Sequence, residues 1–433
     1  MNVMHRLACG ALGLTVVVSG MATWAPAASA APCGDGTLSF SGGQGTTASP
    51  YQISTEADLQ ALRDANTTGD YDGSTHGYYD CTYLQTRNIT ITSGAWKHGI
   101  GFTAPAAGAW WAPFQGVYDG GGYTITNLSI DPAGESTASH RTQKLGFIGS
   151  NQSGTGALRN LNLVNATMTC GADALDAGLL VGQTLGSVSR SSATGTVDCS
   201  GATLSDFVGG AIGYTDGSVS NVWVSGSVSI SLPGGFSPNS VGGVIGKADS
   251  SASIQYLIGR VTLTNSGSAI WAGDLIGRPG GSYGNSFAES GLTPSAGQLL
   301  GTGASVSGIA YGTSTQLKTI STYSGWSISA GVNTSTIWGI DPAINGGYPF
   351  LQALASSTAN NNYAEIPAAI LQELPAGEGN TCTGINDRPF AYNTGLTGGW
   401  KLSSAAWPNG GKGGPVCTRT LVYVGNGWTI QSG

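Results

Sequence analysis

Apolar residues recur along this chain with a period much longer than that of a single helix or strand. The segments Leu145-Gly-Phe-Ile-Gly149, Gly178-Leu-Leu-Val-Gly182, Gly209-Gly-Ala-Ile-Gly213, Gly242-Gly-Val-Ile-Gly246 and Gly273-Asp-Leu-Ile-Gly277 end at intervals of 33, 31, 33 and 31 residues. Each is followed by apolar or small residues at matching offsets. The sets are Leu158, Leu161, Leu163; Val188, Ser191, Ala193; Val219, Val222, Val224; Ile254, Leu257, Gly259; and Tyr283, Ser286, Ala288. A step of three and then of two means one change of parity at a corner, followed by alternation along a strand. A third group continues with Val197, Val228 and Ile230, Val261 and Leu263, and Leu292. Each repeat therefore predicts about three short strands joined by Gly and Ser turns, one coil of a solenoid whose rungs stack about 4.8 Å apart. The fold class expected is all-β, a right-handed parallel β-solenoid (β-helix). A recurring corner Gly supplies either a positive φ or a close backbone approach to the next rung.

Composition narrows this further. The 433 residues include 71 Gly, with only 16 Lys and Arg against 23 Asp and Glu. An α-solenoid would lose up to about 1 kcal/mol for each helical Gly, and a β-sandwich would show hairpin turns at a spacing of about 8 to 12 residues without the longer period. A net charge of −7 with no Lys/Arg run excludes nucleic acid as a partner.

Residues 1–30 read as a signal peptide: a short basic start to Arg6, an apolar stretch from Leu7 to Met21, and the small-x-small site Ala28-Ser29-Ala30. The apolar stretch is interrupted by Gly10, Gly13, Ser19 and Gly20 and is shorter than the roughly 20 residues of a membrane span. The product is expected to be secreted, extracellular or associated with the cell envelope, without a membrane span and monomeric. Six cysteines then remain, and an even number in an exported chain reads as disulfides. Proximity in sequence pairs Cys33 with Cys81 and Cys382 with Cys417. Cys170 and Cys199 fall at nearly matching positions on adjacent rungs and form the third expected pair. His76, His98 and His140 stand at no zinc-ligand spacing to these cysteines, so neither metal nor cofactor is expected.

The Gly-bounded repeats resemble the GLUG motif of bacterial exported and surface proteins, including the non-catalytic part of some immunoglobulin A-specific metallopeptidases. The resemblance extends over about residues 45 to 355. Ser49-Pro-Tyr-Gln-Ile-Ser-Thr-Glu-Ala-Asp-Leu-Gln-Ala-Leu62 resembles an entry helix, Pro113 to Leu128 the strand pair after it, and Trp338 to Leu351 a closing segment. His-Glu-x-x-His is absent from the whole sequence, so the peptidase activity of larger relatives is not carried over.

The expected organisation is a cap and first rungs over 31–135, the repeat solenoid over 136–300, closing rungs over 301–355, a linker over 356–380 and a small disulfide-stapled β module over 381–433. Thr55 to Leu62 is expected to form a capping helix, with Thr55 and Asp58 in a capping box and Leu59 and Leu62 on one face. Leu421 to Ile430 reads as a hairpin around Gly425-Asn-Gly427.

Candidate chemistry is sparse. Asp70, Asp72 and Asp80, then Asp119, then Asp173 and Asp176, all sit in turn-rich sequence where Asp serves the backbone, and no acid recurs at one offset on successive repeats. Trp96, Trp110 and Trp111 are expected in the core, whereas Trp400, Trp407 and Trp428 are the candidate ligand-binding residues, with Trp407 the exposed one. The expected function is a scaffold or adhesin-like protein that binds an extracellular glycan or surface protein, since no catalytic constellation stands out in the sequence. The alternative is a polysaccharide-degrading β-helix enzyme, a glycoside hydrolase or lyase with a carboxylate pair in a lateral groove.

Overall fold

The computed structural model describes residues 33–65, 77–101, 113–133, 143–151, 154–171, 174–202, 207–231, 240–266, 271–303, 307–333 and 335–354, with four short strands between 392 and 431. The expected signal peptide, the linker over 356–380, Cys382, Cys417 and Trp407 lie outside the described residues.

One repeat shows how the pattern becomes structure. Phe207–Gly209 is a strand, Gly210 and Ala211 turn the chain, Ile212–Thr215 is a second strand, and Ser218–Ile230 is a third. The third is longer than the sequence pattern suggests, because the change of direction is absorbed within it. Asn221 takes φ 57°, and the residues at the same rung position, Asn160, Arg190, Tyr256 and Asn285, take φ 52°, 47°, 59° and 47°. A single left-handed residue turns the strand without ending its ladder, which is the parity change that the step of three encodes.

Successive repeats pair in parallel, residue on residue. Ser187–Cys199 pairs with Ser218–Ile230, and that with Ser253–Asn265. The resulting fourteen-stranded sheet forms one side of the stack, and two five-stranded sheets form the rest. Like therefore packs on like in the core: Val188, Val219 and Ile254 form one column, and Val197, Val228 and Leu263 another. Ser191 and Ser286 occupy a core column and stay satisfied, since each hydroxyl donates to a carbonyl two residues back and accepts an N–H from the preceding rung.

The repeat glycines are explained by close approach rather than by positive φ. None of Gly182, Gly213, Gly246 and Gly277 lies in the left-handed region. A Cβ on Gly213 would lie 2.5 Å from the Ala177 nitrogen and 2.6 Å from the Gly182 oxygen, and one on Gly246 would lie 2.6 Å from the Val208 nitrogen. The two five-stranded sheets meet backbone to backbone here, and only hydrogen fits between them.

Both ends of the stack differ from its middle. The edge strand Tyr51–Ile53 pairs in parallel with Thr82–Gln85. On its other side Gln52 N–H donates to the Gly42 carbonyl (2.8 Å) and Ser41 N–H to the Gln52 carbonyl (3.2 Å). Residues 33–46 thus cover the open edge, which otherwise would invite further pairing. The helix Glu56–Arg63 follows, with the Thr55–Asp58 capping box formed and Leu59 and Leu62 buried in the core. A disulfide joins Cys33 to Cys81, and a second joins Cys170 to Cys199, whose neighbours Thr169 and Asp198 are register partners on stacked strands.

Residues 301–355 depart from the expectation of closing rungs. Among the described residues only Ile309–Gly312 adds a strand to the long sheet. The chain then forms the short helix Ser314–Leu317 and a three-stranded sheet of Ile328–Ala330, Trp338–Ile340 and Pro349–Leu351. These pack on the outer face of the long sheet against Trp223 and Ile258, which alternate with core residues on their strands. Trp223, Ile258 and Phe287 are register partners, so three successive rungs present one apolar column outward, and a sheet apolar on both faces must be covered on both.

In the C-terminal region Tyr392–Asn393, Gly399–Lys401, Thr420–Val424 and Gly427–Gln431 form an antiparallel meander. Val424 pairs with Gly427, which leaves two residues for the hairpin connection. Among the described residues no helix is long and apolar enough to cross a membrane.

Candidate functional site

Within each repeat the residue after the last Gly, and the residue before the core position of the preceding strand, both become ladders. On one five-stranded sheet Lys144, Asp176, Phe207, Ser240 and Trp271 are stacked in register. On the other, Ser150, Gln183, Tyr214, Lys247 and Arg278 are stacked. The glycine contacts hold the two sheets so close that side chains of one ladder reach the other.

Side-chain contacts between the ladders bear this out. The rings of Phe207 and Tyr214 are 5.8 Å apart, and the Lys247 ammonium lies 4.9 Å from the centre of each. One rung further, the Arg278 guanidinium stands 6.0 Å from the centre of the Trp271 indole. Cations over ring faces gain about 0.5–1 kcal/mol at exposed sites and more when desolvated. Phe207, Tyr214, Lys247, Trp271 and Arg278 are all half-buried.

Acids temper the charge of this strip. Asp249 sits 3.0 Å from the Lys247 ammonium and accepts a hydrogen bond from the Tyr214 hydroxyl at 2.9 Å. The Lys247 contact and the Ser250 N–H hold the Asp249 carboxyl below its ordinary value, outweighing burial. Burial, and then the Asp249 carboxylate, push the Tyr214 hydroxyl well above its ordinary value. At the other end of the strip Lys144 is buried, in register with Asp176, and donates to Gln183. Burial pushes the Lys144 ammonium down to about 8 although Asp176 opposes the shift.

A strip of this kind presents flat ring faces, fixed cations and hydrogen-bonding carboxylates along one line. It can hold an elongated polar ligand with apolar ring faces, for which aromatic platforms and charge-assisted hydrogen bonds are the suitable contacts.

The residues singled out in the sequence are placed elsewhere. Trp96 is buried beside Phe147 in the core, with the Arg63 guanidinium 5.0 Å from its ring centre. Trp110 and Trp111, with Asp70, Asp72 and Asp173, lie outside the described residues. Asp80 is exposed at the end of a short 3-10 turn. Asp119 serves the corner, accepting from the Gly121 N–H, Asn160 and Arg159. Of the described acids considered for catalysis, Asp176 alone belongs to the strip. Trp400 lies on a strand paired with Leu421, and Trp428 is paired with Tyr423. Among the described residues no group of three His, Cys, Asp or Glu could hold a metal ion.

The strip was missed in the sequence although its signal is there. The position after the last Gly of successive repeats reads Ser150, Gln183, Tyr214, Lys247, Arg278, a run of polar residues at one offset that are large from Gln183 onward.

No family model matches this chain. It is 37% identical over 176 residues to halomucin of Haloquadratum walsbyi (strain DSM 16790 / HBSQ001), a match that takes in 40% of this chain and 2% of that protein's length. Among solved structures it is similar to a Bacteroides ovatus chain described as a candidate immunoglobulin A1 protease, with a TM-score of 0.46 and 17% identity over 72% of this chain and 95% of the other.

Proposed function

We propose that this chain is an exported scaffold of the extracellular space or cell envelope, adhesin-like in action, that binds glycans or proteins along the side of its solenoid formed by the two five-stranded sheets. The observation that carries this reading is the strip of Phe207, Tyr214, Lys247, Trp271 and Arg278, which places rings and cations in register on consecutive rungs. A stack of parallel strands is stiff along its axis and presents the same offset again and again, so a strip on it suits a repeating ligand. Two disulfides support an oxidising compartment. The likeness to halomucin and the GLUG-like repeats are in keeping with it. Residues 381–433, with Trp400, Trp407 and Trp428, supply a second contact region.

A glycan array probed with the exported chain, run beside a reducing-sugar release assay, tests the proposal. Retention of a glycan class without release is the expected result. Turnover of any polysaccharide, abolished by one Asp→Asn change, would replace the scaffold with the enzyme.

A further inference from the structure

The cations of the strip are not equivalent. Lys144 has Asp176 and Gln183, and Lys247 has Asp249. Arg278 is half-buried beside the Trp271 indole and, among the described residues, its guanidinium has neither a carboxylate nor a hydrogen-bond partner. A guanidinium carries five N–H donors in a planar fork that fits a carboxylate at two points. Holding it half out of water with none of them engaged by protein costs free energy that an incoming anion would recover.

The place of this pair in the stack limits what that anion is attached to. Trp271 and Arg278 stand on the last strands of the two five-stranded sheets, and Lys247 is the register partner of Arg278 one rung before. Rungs are spaced about 4.8 Å apart, close to the length of one sugar residue in an extended polysaccharide. A linear polysaccharide lying along the stack therefore puts neighbouring sugars on neighbouring rungs. One meets an unpaired guanidinium and an indole, the next an ammonium already neutralised by Asp249. The chain as a whole carries −7, so no long-range attraction favours a dense polyanion.

Building on the glycan-binding reading, we infer that Trp271 and Arg278 form a subsite for a single acidic sugar in a linear polysaccharide. Its carboxylate is held by the Arg278 fork and its ring face by Trp271, while the adjoining neutral sugar exchanges hydroxyl hydrogen bonds with Lys247 and Asp249. The ligand class is a polysaccharide with uronate separated by neutral residues, not one bearing charge on every sugar.

The test titrates the full exported chain by calorimetry with hyaluronan, alginate and polygalacturonate, with the carboxyl-reduced form of each, and with dextran sulfate. The expected result is binding to hyaluronan, weakened roughly tenfold or more by carboxyl reduction, the order of one charge-assisted pair. Arg278→Gln removes the difference between native and reduced polymer, Arg278→Lys restores part of it, and Trp271→Ala weakens both forms. An unchanged thermal midpoint for Arg278→Gln shows that the fold is intact. Equal binding of native and reduced polymer, or an Arg278→Gln variant as tight as the parent, overturns the acidic subsite while leaving glycan binding in place. Failure to bind hyaluronan, or tighter binding of alginate or polygalacturonate than of hyaluronan, overturns it as well. Strongest binding to dextran sulfate, lost steeply with salt and indifferent to Arg278, shows diffuse charge attraction and also overturns it.

Discussion

At residues 33–65 the stack is closed by backbone pairing and a polar network over side chains such as Tyr51, Leu59 and Leu62 that belong to the core, whereas at 309–354 a separate cluster of aromatic rings covers its flank. The first region joins residues over shorter separations, from Thr55 to Asp58 and Ser41 to Gln52 up to the 48 positions between Cys33 and Cys81. The second joins residues far apart in the chain, with the Trp338 indole N–H donating to Asn221 across 117 positions and the Tyr348 hydroxyl to Glu289 across 59. An edge strand needs its orphan N–H and C=O groups paired, which another stretch of backbone does best. An apolar sheet face needs area covered, which rings do best. The two solutions should fail separately.

Trp338→Ala gives the largest effect. Trp338 is fully buried, lies 5.3 Å from the Trp326 ring and satisfies Asn221, so its truncation removes packing worth about 3–5 kcal/mol and leaves a buried amide short of a partner. Chemical denaturation should show that loss, with proteolysis beginning between residues 314 and 354 while residues 33–65 stay resistant. Equal sensitivity at both ends would show that the two covers form one cooperative unit. Next comes Cys33→Ser with Cys81→Ser. The bridge spans 48 residues, and its removal costs about 4 kcal/mol in the chain-entropy picture. Hydrogen exchange should then rise at Tyr51–Ile53 and leave Trp338–Ile340 unchanged.

Asp58 sharpens the same contrast through pH. Its carboxylate is buried and accepts from Ser41, Ser54 and Thr55, which together tie residues 33–46 to the strand end and the helix. Burial alone would raise it, but these hydrogen bonds outweigh burial and hold the carboxyl below its ordinary value. A group depressed in the folded state stabilises above its unfolded value, near 3.9, and that contribution fades as the pH falls through the lower folded value. Acid should therefore loosen the N-terminal cover below about pH 4. Asp58→Asn presents a donor to groups that are donors themselves, costs about 2 kcal/mol at neutral pH and flattens the acid limb of the stability profile. An acid limb unchanged in the variant would remove Asp58 as its source.

What the sequence disclosed follows the same division. The period of the glycines, the capping box and the Cys170–Cys199 rung match were legible because each depends on spacing within one or two repeats. The flank was not, because Trp223, Ile258 and Phe287 look like ordinary apolar strand residues until the register stacks them, and Trp338 to Leu351 carries no mark of which surface it covers. The strip was half legible: Tyr214, Lys247 and Arg278 recur at one offset after the repeat glycines, but nothing in the spacing says that two sheets approach closely enough for Lys247 to reach Phe207. That closeness is a property of glycine backbones in contact, which the letters allow without stating.

The smallest effect separates bare from covered stretches of the same corner. Arg190 and Tyr256 hold the left-handed corner position on different rungs, with φ 47° and 59°, where side chains larger than Asn pay roughly 1 kcal/mol for the conformation. Arg190 is exposed, so Arg190→Asn should relieve the strain and stabilise by roughly that amount. Tyr256 meets the Trp326 ring edge-on at 5.2 Å, beneath the flank. Tyr256→Asn relieves the same strain but gives up a ring pair worth about 0.5–1.5 kcal/mol, so the two terms cancel or the loss wins. Melting temperatures of the two variants measured side by side decide the point. A gain for both would mean that the flank rests only lightly on this rung, whereas a gain for Arg190→Asn alone shows that the covering rings hold an unfavourable backbone in place.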